Sequence, residues 1–244
     1  MYEMENPVPF TKTGADNRLK LHEAVGMMMD CSQFQEYQEK TFCDYLRSNG
    51  LAIFLFSIQI DILRMPVFRE TVKTAVKIYG CKSIYGLRRF TMRDENGRIC
   101  LLANATGAFF DIQAGRAVKL DPASFQVKYD EAEPMECLPR KIPVPAGDGT
   151  AADPFEVKRS CLDPNGHLTS AVYFAIAEDA LPENCAFNRV RVEYKRQAKP
   201  GEKVFPFLYD CGGGGFVVDM KGADGVSFAI AEFSAADLSA EENV

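Results

Sequence analysis

An excess of basic charge, a long apolar run and clustered metal ligands are all missing from this sequence. Its 28 Lys and Arg face 34 Asp and Glu, for a formal net charge of -6. Without a basic balance to neutralise phosphates, nucleic acid is not expected as the main partner. No apolar run reaches about 18 residues, so no membrane span is expected. The segment from Met1 to Thr13 holds two prolines and no apolar core, unlike a secretory signal or an Arg-rich transit peptide. The expectation is a cytoplasmic protein. Histidine is scarce, at two residues, and none of the eight cysteines forms a C-x-x-C pair. The usual zinc spacings are therefore lacking, and the cysteines read as reduced, packed thiols.

What is present suits a soluble globular chain. Hydrophobic residues make up 47% and charged residues 25% of 244 positions. That length suffices for two domains of about 120 residues. Six of thirteen prolines fall between Asp121 and Pro154. Proline disfavours both helix and central strand, so the segment reads as a linker between two folded halves. The expected division is 1–120, a linker at 121–153, and 154–244.

The halves share a plan. In the first, Met27, Cys31, Phe34, Gln38, Phe42 and Tyr45 recur at helical steps, predicting one helix over 21–49 that stops at Asn49-Gly50. Strand-like runs follow at 51–63, 71–79, 85–93 and 99–110, with Asp94-Glu95-Asn96-Gly97 as a turn. In the second, Leu168, Val172, Ile176 and Ala180 predict a helix over 168–180. Runs at 189–196, 203–210, 216–220 and 226–233 come after it. Ile58, Ile60, Asp61, Arg64, Glu70 and Val72 precede Val190, Val192, Glu193, Arg196, Glu202 and Val204 by 132 positions each. Such matching indicates an internal repeat of an α+β unit, a helix laid on an antiparallel sheet.

The segment Cys161-Leu162-Asp163-Pro164-Asn165-Gly166-His167-Leu168 carries the chemistry. Pro164 and Gly166 impose a tight, irregular backbone, on which Asp163, Asn165 and His167 can converge. His167 is placed at the start of the predicted helix, where the macrodipole favours a neutral imidazole and free N–H groups can hold an oxyanion. The same residues also suit a plain Asx turn with a helix cap, and both readings stay open on local pattern. Cys161 would need a neighbouring base to act as a nucleophile. Gly212 to Gly215 lacks the Lys-Ser/Thr of a phosphate loop and reads as a hairpin or bulge. His22 reads as a surface or capping residue, and Met27 to Met29 suit either core packing or an acyl tunnel.

Asp163-x-Asn165-x-His167-Leu168, followed by Tyr173, resembles the D-x-N-x-H-V-N-N-x-x-Y signature of acyl-acyl carrier protein thioesterases. Val192-Glu193-Tyr194-Lys195-Arg196-Gln197-Ala198 resembles that family's L-E-Y-R-R-E-C strand, and Ala198 to Glu202 its A-x-P-G-D/E turn. Ile58 to Phe68 and Phe90 to Leu120 resemble it as well. The resemblance implies a double hot-dog fold with the active residues in the C-terminal half. It implies hydrolysis of a fatty acyl thioester by water, with no metal or organic cofactor. The partner implied is acyl carrier protein, which is strongly acidic, and a homodimer stays open. Carried over, the site is Asp163, Asn165 and His167, with Gln197 where the family has Glu and Ala198 where some members have Cys. Gln197 cannot be a base near neutral pH, so it is expected to position the water, with His167 as first choice for general base and Asp163 orienting it or sharing that role. Thr169 and Ser170 stand where the family has two Asn and read as cap substitutes. Arg88, Arg89, Arg93, Lys73, Lys77 and Lys82 form either a basic face for the carrier or a plain solvated one. Two rival readings are an acyl-CoA thioesterase of the same fold and a non-catalytic acyl-binding protein.

Overall fold

Strand formation follows the alternation of side chains and the turn chemistry between runs. In the computed structural model, which describes residues 1–120 and 128–239, two compact units emerge. The first comprises Met1–Ile58, Ile62–Cys137 and Leu238–Val244, and the second Gln59–Asp61 and Leu138–Asp237. Residues 121–127 of the expected linker lie outside the described residues. Residues 128–137 group with the first unit and 138–153 with the second.

The first unit contains β1 (Tyr2–Pro7), α1 (Leu21–Gln38), α2 (Lys40–Ser48), β2 (Leu51–Ile62, of which Gln59–Asp61 group with the second unit), β3 (Thr71–Lys82), β4 (Tyr85–Arg93), β5 (Ile99–Asp111) and the short β6 (Arg116–Ala117). Its strand order is β1-β3-β4-β5-β2, with β6 on β5. Helix α1 packs on β1 and β3. The β4–β5 turn is fixed by Asp94, whose Oδ1 accepts the N–H groups of Asn96 and Arg98, both at 2.9 Å. Gly97 takes φ 78°, a conformation that favours glycine.

The helix expected over 21–49 is in fact two. The chain breaks at Glu39, where ψ is 61°, although no residue there is a strong helix breaker. Packing explains the break. Helix α1 buries Leu21, Ala24, Val25, Met28 and Cys31, whereas α2 sends Phe42 and Leu46 into a cluster with Phe109 and Leu120. Phe34 of the expected stripe is 51% exposed, and its ring stacks on Tyr2 of β1. Met27 and Met28 belong to the core, while Met29 lines an apolar cavity of about 100 Å³ with Phe42, Leu55, Ile78 and Phe109. Burial pushes the Cys31 thiol up to about 12 and Cys100 to about 11, which keeps both protonated.

The second unit contains β7 (Thr150–Ala151), β8 (Phe155–Glu156), α3 (Ser170–Asp179), β9 (Arg189–Tyr194), β10 (Lys203–Gly212), β11 (Gly215–Lys221) and β12 (Ser227–Ser234). Strands run in the order β9-β12-β11-β10-β7, all antiparallel, with β8 also on β10. The Gly212–Gly215 segment is the β10–β11 hairpin, with three glycines at positive φ. Helix α3 contacts β12 and buries Ala171, Tyr173, Phe174, Ile176 and Ala177. Burial on so many sides exceeds the single stripe the sequence suggests. The proline-rich stretch is anchored by buried Glu193, which accepts the Ile142 N–H at 3.0 Å and pairs with Arg140 at 2.9 Å.

The repeat extends to individual hydrogen bonds. Leu63 and Arg64 N–H both donate to Cys100 O, as Lys195 and Arg196 N–H do to Phe228 O. Arg64 pairs with Asp94, and Arg196 with Asp224. The Val67 N–H donates to Glu70 Oε2, and that of Lys199 to Glu202 Oε2.

Candidate active site

Asp163 builds the turn that carries His167. Its main-chain N–H donates to His167 O at 2.8 Å, and its own carbonyl accepts the Gly166 N–H at 2.9 Å. Its Oδ1 accepts the N–H groups of Asn165 at 2.9 Å and His167 at 3.0 Å. Gly166 adopts φ 76°, a region costly for residues with a Cβ. Leu162 and Leu168 close the loop as an antiparallel bridge. This places the Asp163 carboxylate on the turn backbone, while the Asn165 side chain points out with no partner among the described residues.

His167 precedes α3 rather than starting it, since the helix begins at Ser170. The helix-start argument therefore does not apply to its ring. Thr169 occupies the N-cap without a capping side-chain bond. Its hydroxyl instead donates to Cys161 O at 3.1 Å, and its N–H donates to the same oxygen. Thr169 thus ties the start of α3 to the chain before the turn and is no cap substitute.

Gln197 follows β9 and reaches the turn from 30 residues away. Its Nε2 lies 3.2 Å from His167 Nδ1. The amide therefore touches the imidazole itself, a contact more specific than the expected hold on a water. The backbone beyond Gln197 is held from α3. The buried Tyr173 hydroxyl accepts the Ala198 N–H at 3.1 Å, and Ala198 is wholly buried. Desolvation pushes the Tyr173 phenol up to about 12, so it stays a neutral hydroxyl. Tyr173 meets Tyr194 edge-on at 5.6 Å, and the Tyr194 hydroxyl donates to Ser170 O at 3.1 Å. Tyr173 was visible in the sequence as part of the motif, but its role in holding Ala198 was not.

The first unit has the same frame with other side chains. Gly14, Asp16 and Arg18 stand where Asp163, Asn165 and His167 do. The Gly14 N–H donates to Arg18 O at 2.8 Å, the Asn17 N–H donates to Gly14 O at 3.0 Å, and Thr13 bridges Leu19. Asn17 has φ 67°, matching Gly166. At the 132-residue spacing, the counterpart of Gln197 is Met65. The second turn alone therefore combines an imidazole, an amide and a carboxylate.

The basic strands of the first unit are largely neutralised. Arg88 pairs with Glu36 at 2.6 Å and with Ser32. Lys77 and Arg93 share Glu133, Lys73 meets Glu5, and Arg89 is buried over the Tyr79 ring. Lys82, at the end of β3, is exposed with no ion pair among the described residues, so a solvated face describes it but not the other five. His22, half-buried at the start of α1, lies 3.8 Å from Glu23. Among the described residues, no helix is long and apolar enough to cross a membrane.

Solved structures of thioesterases share this architecture. An acyl-ACP thioesterase from Bacteroides thetaiotaomicron aligns over 95% of this chain and 96% of its own, with TM-score 0.85 and 17% identity. A putative oleoyl thioesterase from Lactobacillus plantarum aligns over 97% of both chains, with TM-score 0.81 and 21% identity. The 12:0-ACP thioesterase from Umbellularia californica aligns over 96% of both, with TM-score 0.80 and 13% identity. The fold is thus an α+β double hot-dog. A search of curated proteins gives no match. The family model described as acyl-ACP thioesterase N-terminal domain matches residues 1–125, and the chain belongs to the acyl-ACP thioesterase family.

Proposed function

We propose that this protein hydrolyses a fatty acyl thioester borne by acyl carrier protein, releasing a free fatty acid and the carrier thiol. The observation that carries this reading is the contact between Gln197 and His167 Nδ1, on the turn that also carries the exposed Asn165. A Gln amide has a donor end and an acceptor end. With Nε2 donating to Nδ1, the ring proton sits on Nε2. With the amide turned over, Oε1 accepts Nδ1–H and leaves the Nε2 lone pair free. The second arrangement suits a general base. His167 Nε2 takes a proton as water oxygen attacks the thioester carbon. The Asn165 amide donates to the oxygen that gains charge. Collapse breaks the C–S bond, and the imidazolium returns the proton to the departing sulfur. Asp163 acts indirectly, by fixing the turn that carries both groups.

Incubation with one acyl chain on carrier protein, on coenzyme A and on N-acetylcysteamine, with free thiol measured, tests the reading. Thiol release fastest from the carrier protein is expected. Faster release from coenzyme A would make the protein an acyl-CoA thioesterase, and binding without release would make it an acyl-binding protein.

A further inference from the structure

Three exposed cations without acidic partners among the described residues lie beside the candidate site. Lys158 and Arg159 are exposed at the start of the turn segment, Lys158 just before and Arg159 within the 3-10 turn of Arg159–Cys161 that leads to Asp163. Lys199 is exposed two residues past Gln197. Two hydrogen bonds bring these stretches together: the Val157 N–H donates to Glu202 O, and the Gly201 N–H to Val157 O, both at 2.9 Å. Among the described residues, none of the three side chains has a hydrogen bond or ion pair. Neighbouring cations differ, since Lys195 pairs with Glu193 and Arg196 with Asp224. The nearby acids are engaged or opposed. Glu202 accepts the Lys199 N–H at 2.5 Å, and Glu156 faces Lys203 across the β8–β10 pair.

An overall acidic protein with three unopposed cations at the mouth of one turn is built to attract a negative surface there. Resting on the function proposed above, we infer that Lys158, Arg159 and Lys199 form the docking face for a carrier protein that presents acidic side chains. The thioester it bears is thereby delivered to His167 and Asn165. At the positions equivalent to Lys158, Arg159 and Lys199 the first unit carries no cation. Pro9, Phe10 and Val67 stand there, and Phe10 packs edge-on against Phe68.

The test is the triple variant K158E/R159E/K199E in the full-length protein, with the same three thioesters. The docking face predicts that kcat/KM for acyl carrier protein falls about 10–100-fold at low salt, and that added salt narrows the gap. The uncharged N-acetylcysteamine substrate should be hydrolysed at the wild-type rate. An equal fall with coenzyme A would assign the cations to phosphate groups and overturn the inference. Equal falls with all three substrates, or no fall with the carrier, would also overturn it. If the wild type hydrolyses none of them, the hydrolase reading fails by itself. Fluorescence anisotropy of labelled holo carrier protein then decides docking, and an unchanged Kd in the triple variant would contradict it.

Discussion

The imidazole of His167 and the amide of Gln197 form a pair whose roles depend on which end of the amide faces Nδ1. An amide accommodates either tautomer. A carboxylate only accepts, so Gln197→Glu would fix Nδ1–H, free Nε2 and stabilise the imidazolium that forms. The expected outcome is a rise in kcat of about 10-fold, within the range that acid–base tuning supplies. An unchanged or lower kcat in a folded variant would show that Gln197 does not limit the base. This contact is the part of the site least legible in the sequence. The turn announces itself through Asp-Pro-Asn-Gly-His, whereas a partner 30 residues away emerges only from the resemblance and from the fold.

Elements were legible where side-chain pattern and local chemistry agree. The strands around Asp94–Gly97 and Asp224–Gly225 follow from apolar runs closed by an Asp that accepts turn N–H groups. Strand β1 was not read, because its alternation of Tyr2 and Met4 with Glu3 and Glu5 is short, runs into Asn6-Pro7 and, at the sheet edge, buries neither apolar residue fully. The break at Glu39 was hidden because packing of α2 on Phe109 and Leu120 overrides local helix preference. The link between α3 and the end of β9 also belongs to this scale. Tyr173→Phe removes the acceptor of the buried Ala198 N–H, which costs about 1–3 kcal/mol when left unpaired. Because Ala198 follows Gln197, kcat should fall while KM holds. In a Gln197→Ala background the further loss in kcat should vanish. Independent, additive losses would show that Tyr173 acts elsewhere.

Across the molecule, one plan is used twice and only the turn of the second unit carries an imidazole. The repeated scaffold was legible from the 132-residue spacing, which pairs Arg64 and Glu70 with Arg196 and Glu202; the recurrence of Asp94 as Asp224, each bound to its Arg, emerges from the fold. Which cations are left unpaired was not, because pairing is a tertiary property. The scaffold has a pH signature. The Arg64 guanidinium, through its hydrogen bonds, holds Glu70 below its ordinary value of 4.5. A depressed carboxylate contributes stability that is complete above the unfolded value and is lost as pH falls through the folded one. Thermal melts of Glu70→Gln should therefore show a lower Tm than wild type near pH 7, and the difference should shrink below pH 4.5. A gap that stays constant into acid would mean that the Glu70 charge contributes nothing to stability.

The central claim is that His167 is the base of a thioester hydrolase, and single-turnover release of thiol by His167→Ala tests it most directly. The account predicts a rate about 10²–10⁴-fold below wild type, with an unchanged circular dichroism spectrum. A folded His167→Ala protein that hydrolyses the same thioester at a near wild-type rate would contradict it.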